Sequence, residues 1–202
     1  MTDEKQHADL PSRIRKEATR LFACHGYAGT TLRQLTRACD CTKAACYYHY
    51  HNKAGVYEEV VSYNRSRAYE LVRRAFATTG TCRRRLHDGL DSVVEFAMEN
   101  PTVCRLLIRC EFMPEAEAPR VEGSAVGVVF VEALHDVVRE GYKELQTSIS
   151  VSDAAQLLAG SIFFQLCVSI ECGVWDRPRM HRTLDMAVDG MVQTNLETGY
   201  RS

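Results

Sequence analysis

Residues 22–56 read FACHGYAGTTLRQLTRACDCTKAACYYHYHNKAGV, and this stretch of the 202-residue chain decides the fold. Two short helices, Leu32–Ala38 and Lys43–His49, are predicted on either side of a tight turn, Cys39-Asp40-Cys41. Thr31 and Thr42 stand just before these helices, where a threonine hydroxyl can accept an unpaired backbone N–H and cap the helix. Two helices joined this closely predict a helix–turn–helix motif.

A third helix, Ser12–His25, is predicted on the N-terminal side of this motif. Its apolar residues Ile14, Ala18 and Leu21 recur at steps of four and three, which places them on one face. Gly26 follows as the expected end of the helix, because glycine readily adopts the left-handed conformation found after many helices. We expect this helix to brace the two short ones.

The second short helix carries side chains suited to reading DNA in the major groove, where the recognition helix of such a motif lies. Ala44 and Ala45 are small and let the backbone approach the base edges. Lys43, Tyr48 and His49 are long enough to reach phosphates or base edges. The motif therefore predicts binding to double-stranded DNA.

Charge is distributed unevenly along the chain. Between Leu10 and Lys53 there are eight lysines and arginines against two acidic residues, a local charge of +6. The net charge of the whole chain is −1, so the remainder carries −7. A basic module on an acidic body indicates that the N-terminal end meets a polyanion.

The rest of the chain also has helical periodicity, and no stretch alternates as a strand does. The predicted helices are Lys53–Thr78, Arg83–Glu99, one from Pro101 to just before Pro114, one from after the loop Glu115–Arg120 to Leu145, one capped by Ser152 that ends at Gly173, and one from Pro178 to Thr198. We predict an all-α protein of about nine helices. A helix–turn–helix domain at 1–55 precedes a helical effector-binding and dimerisation domain at 56–202.

At this point the stretch 22–56 resembles the DNA-binding signature of the tetracycline-repressor (TetR) family. The matching residues are Phe22, Gly26, Tyr27, Thr30, Thr31, Leu32, Leu35, Thr42, Tyr47, His49, Lys53 and Val56. The chain departs from the pattern at Thr36, Ala44, Cys46 and Tyr50, and at Asp40, which replaces the turn glycine. Aspartate tolerates the left-handed conformation better than most residues, so we expect the turn to survive.

The resemblance implies roles for individual residues. Thr31, Thr42, Tyr47 and Lys53 would bind DNA phosphates, while Arg33, Lys43, Ala45 and Tyr48 would face bases. It also implies a one-component regulator, most simply a repressor. Such a regulator binds an inverted-repeat operator as a homodimer and responds to a small effector.

Residues 1–9 contain no apolar stretch, and the longest apolar stretch, Leu157–Ile170, is shorter than the roughly 20 residues of a membrane span. We therefore expect a cytoplasmic protein that makes no contact with a membrane.

The helical remainder supplies a predicted pocket and a predicted dimer interface. Apolar residues at helical spacing are expected to line the pocket: Phe96, Leu107, Val126, Phe130, Leu134 and Phe163. Because few polar side chains lie among the predicted pocket residues, we expect the effector to be apolar or amphipathic. The last two helices are expected to pair with their symmetry mates through Leu157, Leu158, Ser161, Gln165, Leu184, Val188, Met191 and Asn195.

Three alternatives stay open from the sequence. Cys39, Cys41, Cys46 and His49 form a pattern that resembles a zinc site, but free cysteines also pack as small hydrophobes, and we expect neither a metal nor a cofactor. A redox-responsive or ligand-independent regulator is the second alternative, since the chain has nine cysteines. The third is a helical enzyme with a basic N-terminal module, although no recognisable catalytic motif occurs. We expect a regulator that is not an enzyme.

Overall fold

The computed structural model of the chain describes residues 3–145 and 149–191, and all its regular structure there is helical. The helices are α1 Asp3–His25, α2 Leu32–Ala38, α3 Lys43–Tyr50, α4 Lys53–Phe76, α5 Cys82–Glu99, α6 Pro101–Phe112, α7 Val126–Glu140, α8 Tyr142–Leu145, α9 Val151–Cys172 and α10 Arg177–Met191. The predicted all-α fold with an N-terminal helix–turn–helix is confirmed.

The local signals in the helix–turn–helix act as the sequence predicts. Thr31 forms a capping box with Gln34: the Gln34 backbone N–H donates to the threonine hydroxyl, and the Gln34 side chain accepts from the Thr31 backbone N–H. The Ala45 N–H donates to the hydroxyl of Thr42. Asp40 has a φ of 45°, so it takes the left-handed conformation normally given to glycine.

Several helix boundaries differ from the sequence prediction; α7, for example, begins at Val126 rather than directly after Arg120. Helix α1 begins at Asp3 rather than Ser12, with Pro11 inside it. Ser150 caps α9 instead of Ser152, because Ser150 has the extended backbone that lets its hydroxyl accept the N–H of Asp153. The predicted long helix ending at Leu145 is divided at Gly141, where a Cβ would come within 2.3 Å of the Cβ of Cys82. The predicted end at Thr198 lies outside the described residues.

The chain folds as two compact units, the first comprising Met1–Ala68 and Asn100–Val126. In this unit the core contains Phe22, Leu35, Val60 and Leu106, so α6 packs with the DNA-binding helices although it is distant in sequence. Helix α1 packs directly against α6. Placement of α6 here was not predicted.

The second unit comprises Tyr69–Glu99 and Gly127–Ser202, and its core is formed by α5, α7, α9 and α10. An ion pair and two hydrogen bonds link α5 to α10: Arg83 pairs with Asp185, His87 is hydrogen-bonded to Asp185, and His181 is hydrogen-bonded to Asp91. The division falls within α4, after Ala68. The functional boundary at residue 55 stays a prediction, because grouping by contacts does not test which residues suffice to bind DNA.

Candidate nucleic-acid interface

The buried residues of α2 and α3 determine which side chains face outward. Leu35 on α2, Cys39 in the turn and Cys46 on α3 are all buried in the core of the first unit. Because successive helical residues are about 100° apart, burial of Cys46 turns the opposite face of α3 to solvent. The outward residues of α3 include most of the predicted DNA contacts: Lys43, Ala44, Tyr47, Tyr48 and His49.

Tyr48 is the most conspicuous residue on this face, because its side chain is 82% exposed. Its ring lies edge-on to that of His49, with ring centroids 5.2 Å apart. The Nζ atom of Lys43 lies 5.4 Å from the ring centroid of Tyr47. The face thus combines cationic, hydroxyl and apolar groups, which are the groups that contact phosphates, base edges and the thymine methyl.

A shallow open groove adjoins α3 along the turn and α2. It is lined by Arg33, Thr36, Arg37, Asp40, Cys41 and Thr42. Two guanidinium groups in one groove suit a phosphate backbone, since arginine binds phosphate oxygens in a bidentate manner. Arg33 is among the predicted DNA contacts, whereas Arg37 is not. The signal was present, because Arg37 follows Arg33 by one helical turn on the exposed face of α2.

Two predicted DNA contacts are less exposed than expected. Ala45 is half-buried and packs against the core of the first unit. Lys53 is also half-buried: its Nζ donates to the carbonyl oxygen of Tyr27 at 3.0 Å and lies 4.0 Å from the centroid of that ring. An ammonium group has three N–H donors, so Lys53 keeps donors for a phosphate while it holds Tyr27. Contact of both residues with DNA remains a prediction.

The two cap threonines differ in what they can offer to DNA. The hydroxyl of Thr31 donates its proton to the side-chain oxygen of Gln34 at 2.8 Å. The hydroxyl of Thr42 accepts the N–H of Ala45, and a hydroxyl in that role still has its own proton to donate. Thr42 is therefore better prepared to bind a phosphate oxygen than Thr31.

Sequence reasoning missed Glu115, which lies after α6 and contacts the turn between α1 and α2. Its two carboxylate oxygens accept the backbone N–H groups of Tyr27 and Ala28, at 3.0 and 2.8 Å. Arg109 donates to the same carboxylate at 3.2 Å. Burial opposes the charged form, but these three donors outweigh it and lower the pKa of Glu115. The helix–turn–helix motif itself carries no signal for this residue.

The cysteines of the helix–turn–helix lie in surroundings that keep them protonated. Burial raises the pKa of Cys39 to about 12, and it also raises the pKa values of Cys41 and Cys46. A thiolate, not a thiol, is the reactive and metal-binding form. Among the described residues, no group of three or more His, Cys, Asp or Glu side chains is arranged to hold a metal ion.

The residues predicted to line a pocket are divided between the two units. In the second unit, Phe130 packs edge-on against Phe76 with ring centroids 5.6 Å apart, and Leu134 is fully buried. Phe96 and Phe163 of this unit are half-buried. The other two predicted pocket residues, Leu107 and Val126, belong to the first unit. A pocket formed by this set remains a prediction.

The residues predicted to form a dimer interface divide by burial. Four of them lie in the core of their own unit, where their side chains have no surface left for a partner: Leu158, Leu184, Val188 and Met191. Leu157 is exposed, and Ser161 and Gln165 are half-buried on the same side of α9. Asn195 lies outside the described residues. Two exposed apolar residues outside this prediction, Phe164 and Val168, follow Leu157 along α9 at helical spacing. The dimer interface remains a prediction.

Comparisons with known proteins agree with this geometry. Residues 14–60 match the family model described as "Bacterial regulatory proteins, tetR family". The HTH-type transcriptional regulator LmrA of Bacillus subtilis (strain 168) is 26% identical over 144 residues, which cover 68% of this chain and 68% of that protein.

Two solved structures share the fold. A bacterial regulatory protein in the tetR family from Rhodococcus RHA1 superposes with a TM-score of 0.68 at 17% identity, covering 91% of this chain and 96% of that one. AibR, solved in complex with isovaleryl coenzyme A and operator DNA, superposes with a TM-score of 0.63 at 17% identity, covering 91% and 98%. At this identity both likenesses concern the fold alone.

Proposed function

Because the chain belongs to the tetR family of bacterial regulatory proteins, we propose that it is a repressor that leaves its operator when a small effector binds. In this proposal a homodimer binds an inverted-repeat site on double-stranded DNA, with one recognition helix, α3, in each of two major grooves. The family and its relatives are transcriptional regulators, so we assign this chain a regulatory and not an enzymatic role.

The observation that carries the DNA-binding role is the outward face of α3 beside the groove of Arg33 and Arg37. An aromatic side chain as exposed as Tyr48 has little to gain from solvent, whereas its ring and hydroxyl suit base edges and phosphates. The neighbouring guanidinium groups add charge that attracts the DNA backbone. The exposed face of α3 and the adjoining arginine groove therefore support the proposed DNA-binding role.

The dimer is proposed from the exposed apolar side of α9. Leu157, Phe164 and Val168 lie 49%, 70% and 45% exposed along it, and a Cβ at Gly160 would have no atom within 4 Å apart from its chain neighbours and the backbone of α9. This helix is long and apolar enough to span a membrane by length and composition, with 33% of its most apolar window buried. One such helix is weak support for a membrane protein, and its exposed side suits a second copy of α9 better. We accordingly assign the protein to the cytoplasm.

The effector is proposed to be a small apolar or amphipathic molecule held within the helical second unit. Phe130 and Leu134 form part of the apolar face of α7 that is buried in the core of the second unit. Ligand pockets are mostly lined by apolar and aromatic side chains of this kind. AibR carries the acyl thioester isovaleryl coenzyme A together with operator DNA, so an effector of mixed apolar and polar character is compatible with this fold.

The proposal is tested by selecting duplexes from a random pool with the purified protein and measuring affinity at several salt concentrations. We expect an inverted-repeat consensus with half-sites about one helical turn apart or slightly more, and a log–log salt slope near −0.9 for each phosphate neutralised. Tyr48→Ala is expected to change the selected sequence. Tyr63→Ala, which removes another exposed tyrosine on α4, is the matched control and is expected to leave it unchanged. A selection without consensus would contradict the proposal.

A further inference from the structure

We propose that Glu115, which lies outside the helix–turn–helix, is a positioning residue for DNA binding: its carboxylate holds the turn that presents α2 and transmits the position of α6 to it. This inference rests on the proposed function and adds a route for its regulation. The contacts on which it rests lie entirely within the first unit.

The first step is the grip on the turn. Glu115 accepts two consecutive backbone N–H groups, those of Tyr27 and Ala28, one on each carboxylate oxygen. Arg109 on α6 donates to the carboxylate as well, so the preceding helix helps to orient this side chain. Charge-assisted hydrogen bonds of this kind are about twice as strong as neutral ones. The carboxylate therefore determines where this turn lies.

Gly26 shows that the turn and the carboxylate are fitted to each other. Its φ is +73°, a left-handed conformation that other residues rarely adopt. A Cβ at this position would lie 2.0 Å from an oxygen of Glu115 and 2.7 Å from a guanidinium nitrogen of Arg109. Glycine thus both permits the conformation and leaves room for the ion pair.

The first residue of α4, Lys53, also holds this turn. The carbonyl oxygen of Tyr27 accepts from Lys53, while its N–H donates to Glu115. The hydroxyl of Thr30 donates to the carbonyl of Gly26, which makes the turn a rigid connection to α2. A displacement of Glu115 therefore moves the start of α2 relative to α4, and α2 in turn packs against α3.

At the other end, α6 is tied to the first residue of α7. The carboxylate of Glu111, four residues before Glu115, accepts the N–H of Val126 at 2.9 Å and the Nε–H of Arg65 at 3.1 Å. Two carboxylates thus connect α6 with the start of α7 and with the DNA-binding turn. An effector that shifts the start of α7 would change the hold of Glu115 on residues 27 and 28.

The test compares variants at Glu115 with matched variants at Glu117, an exposed acid in the same loop whose charge also acts on Tyr27. Glu115→Gln and Glu117→Gln each remove one negative charge from the same loop, but only the first removes the carboxylate that accepts the two backbone N–H groups. Glu115→Asp keeps the charge and shortens the reach by one methylene, with Glu117→Asp as its control. Circular dichroism first establishes which variants are folded. For those variants, we measure the affinity for a duplex that the wild-type protein selected.

We expect both Glu115 variants to bind this duplex about tenfold more weakly than their Glu117 controls, because the binding-competent arrangement becomes a minor population. The salt slope should stay the same, since the phosphate contacts are unchanged. Amide hydrogen exchange at Tyr27 and Ala28 should accelerate, while that of Val60 and Val61 in the core should not. If Glu115→Gln does not fold, Glu115→Asp carries the comparison.

If the Glu115 and Glu117 variants bind the duplex with equal affinity, the inference is wrong. This holds even if amide hydrogen exchange at Tyr27 and Ala28 accelerates. In that case the wild-type protein still binds its selected duplex, so the proposed function stands. A wild-type protein that binds no duplex would overturn the proposed function and this inference with it.

Discussion

The buried ion pair between Arg65 and Glu111 offers the sharpest test of the first unit. The Nε of Arg65 lies 3.1 Å from a carboxylate oxygen of Glu111, and the two side chains are only 10% and 2% exposed. Arg65 also donates to the carbonyl of Val121, and Glu111 accepts the N–H of Val126. Removing Glu111 leaves the guanidinium group of Arg65 buried without its opposite charge.

Glu111→Ala is therefore expected to lower the free energy of unfolding by about 3–5 kcal/mol. For a chain of this length each kcal/mol corresponds to about 2–4 °C in Tm, so Tm should fall by about 6–20 °C. The double variant Arg65→Met with Glu111→Leu should cost less than Glu111→Ala alone, because it removes both charges and keeps an apolar side chain at each position.

Urea unfolding followed by circular dichroism measures these differences, with Glu70→Ala as the control. Glu70 pairs with Arg74 on the surface at 2.6 Å, where both side chains are largely exposed, and its removal should cost no more than about 0.5 kcal/mol. A Glu111→Ala protein as stable as the Glu70→Ala protein would refute the reasoning that burial makes this pair indispensable.

Four further outcomes are expected. Thr31→Ala removes the cap of α2 and should cost about 1 kcal/mol in urea unfolding, whereas Thr31→Ser should cost much less. The pKa of Glu115 is lower in the folded protein than its value of about 4.3 in the unfolded chain. Its ionised carboxylate therefore stabilises the fold fully above the unfolded pKa, and this stabilisation is lost as the pH falls through the folded pKa. The free energies of unfolding of the wild-type protein and Glu115→Gln should accordingly converge in acid. Mild peroxide should leave DNA affinity unchanged until the fold is damaged, because Cys39 is held as a thiol; a reversible loss abolished by one Cys→Ser change would favour the redox alternative. Phe164→Asp should shift sedimentation towards the monomer, while the same change at exposed Val174 outside α9 should not, and an unchanged dimer would contradict the α9 interface.

The local parts of the DNA-binding site were predictable from the sequence because each depends on residues close together in the chain. A threonine caps the helix that follows it, and Asp40 takes the left-handed turn by its own conformational tolerance. The spacing from Phe22 to Val56 identified the motif for the same reason. Periodicity predicted most helix boundaries to within a few residues. The prediction was wrong where a cap decided the boundary, as at Ser150, or where two segments pack closely, as Gly141 does against Cys82.

Which partner each apolar or charged residue meets was decided only by the tertiary structure. Periodicity predicts that Leu157 and Leu184 lie on apolar faces of their helices. It does not distinguish an apolar face that packs within the same subunit from one that stays exposed. In the structure Leu184 is buried in the core of its own unit, whereas Leu157 is exposed. Likewise, nothing local shows that α6 packs with the DNA-binding helices or that Glu115 reaches residues 27 and 28. Those contacts join parts of the chain far apart in sequence, and they exist because the folded core brings the elements together.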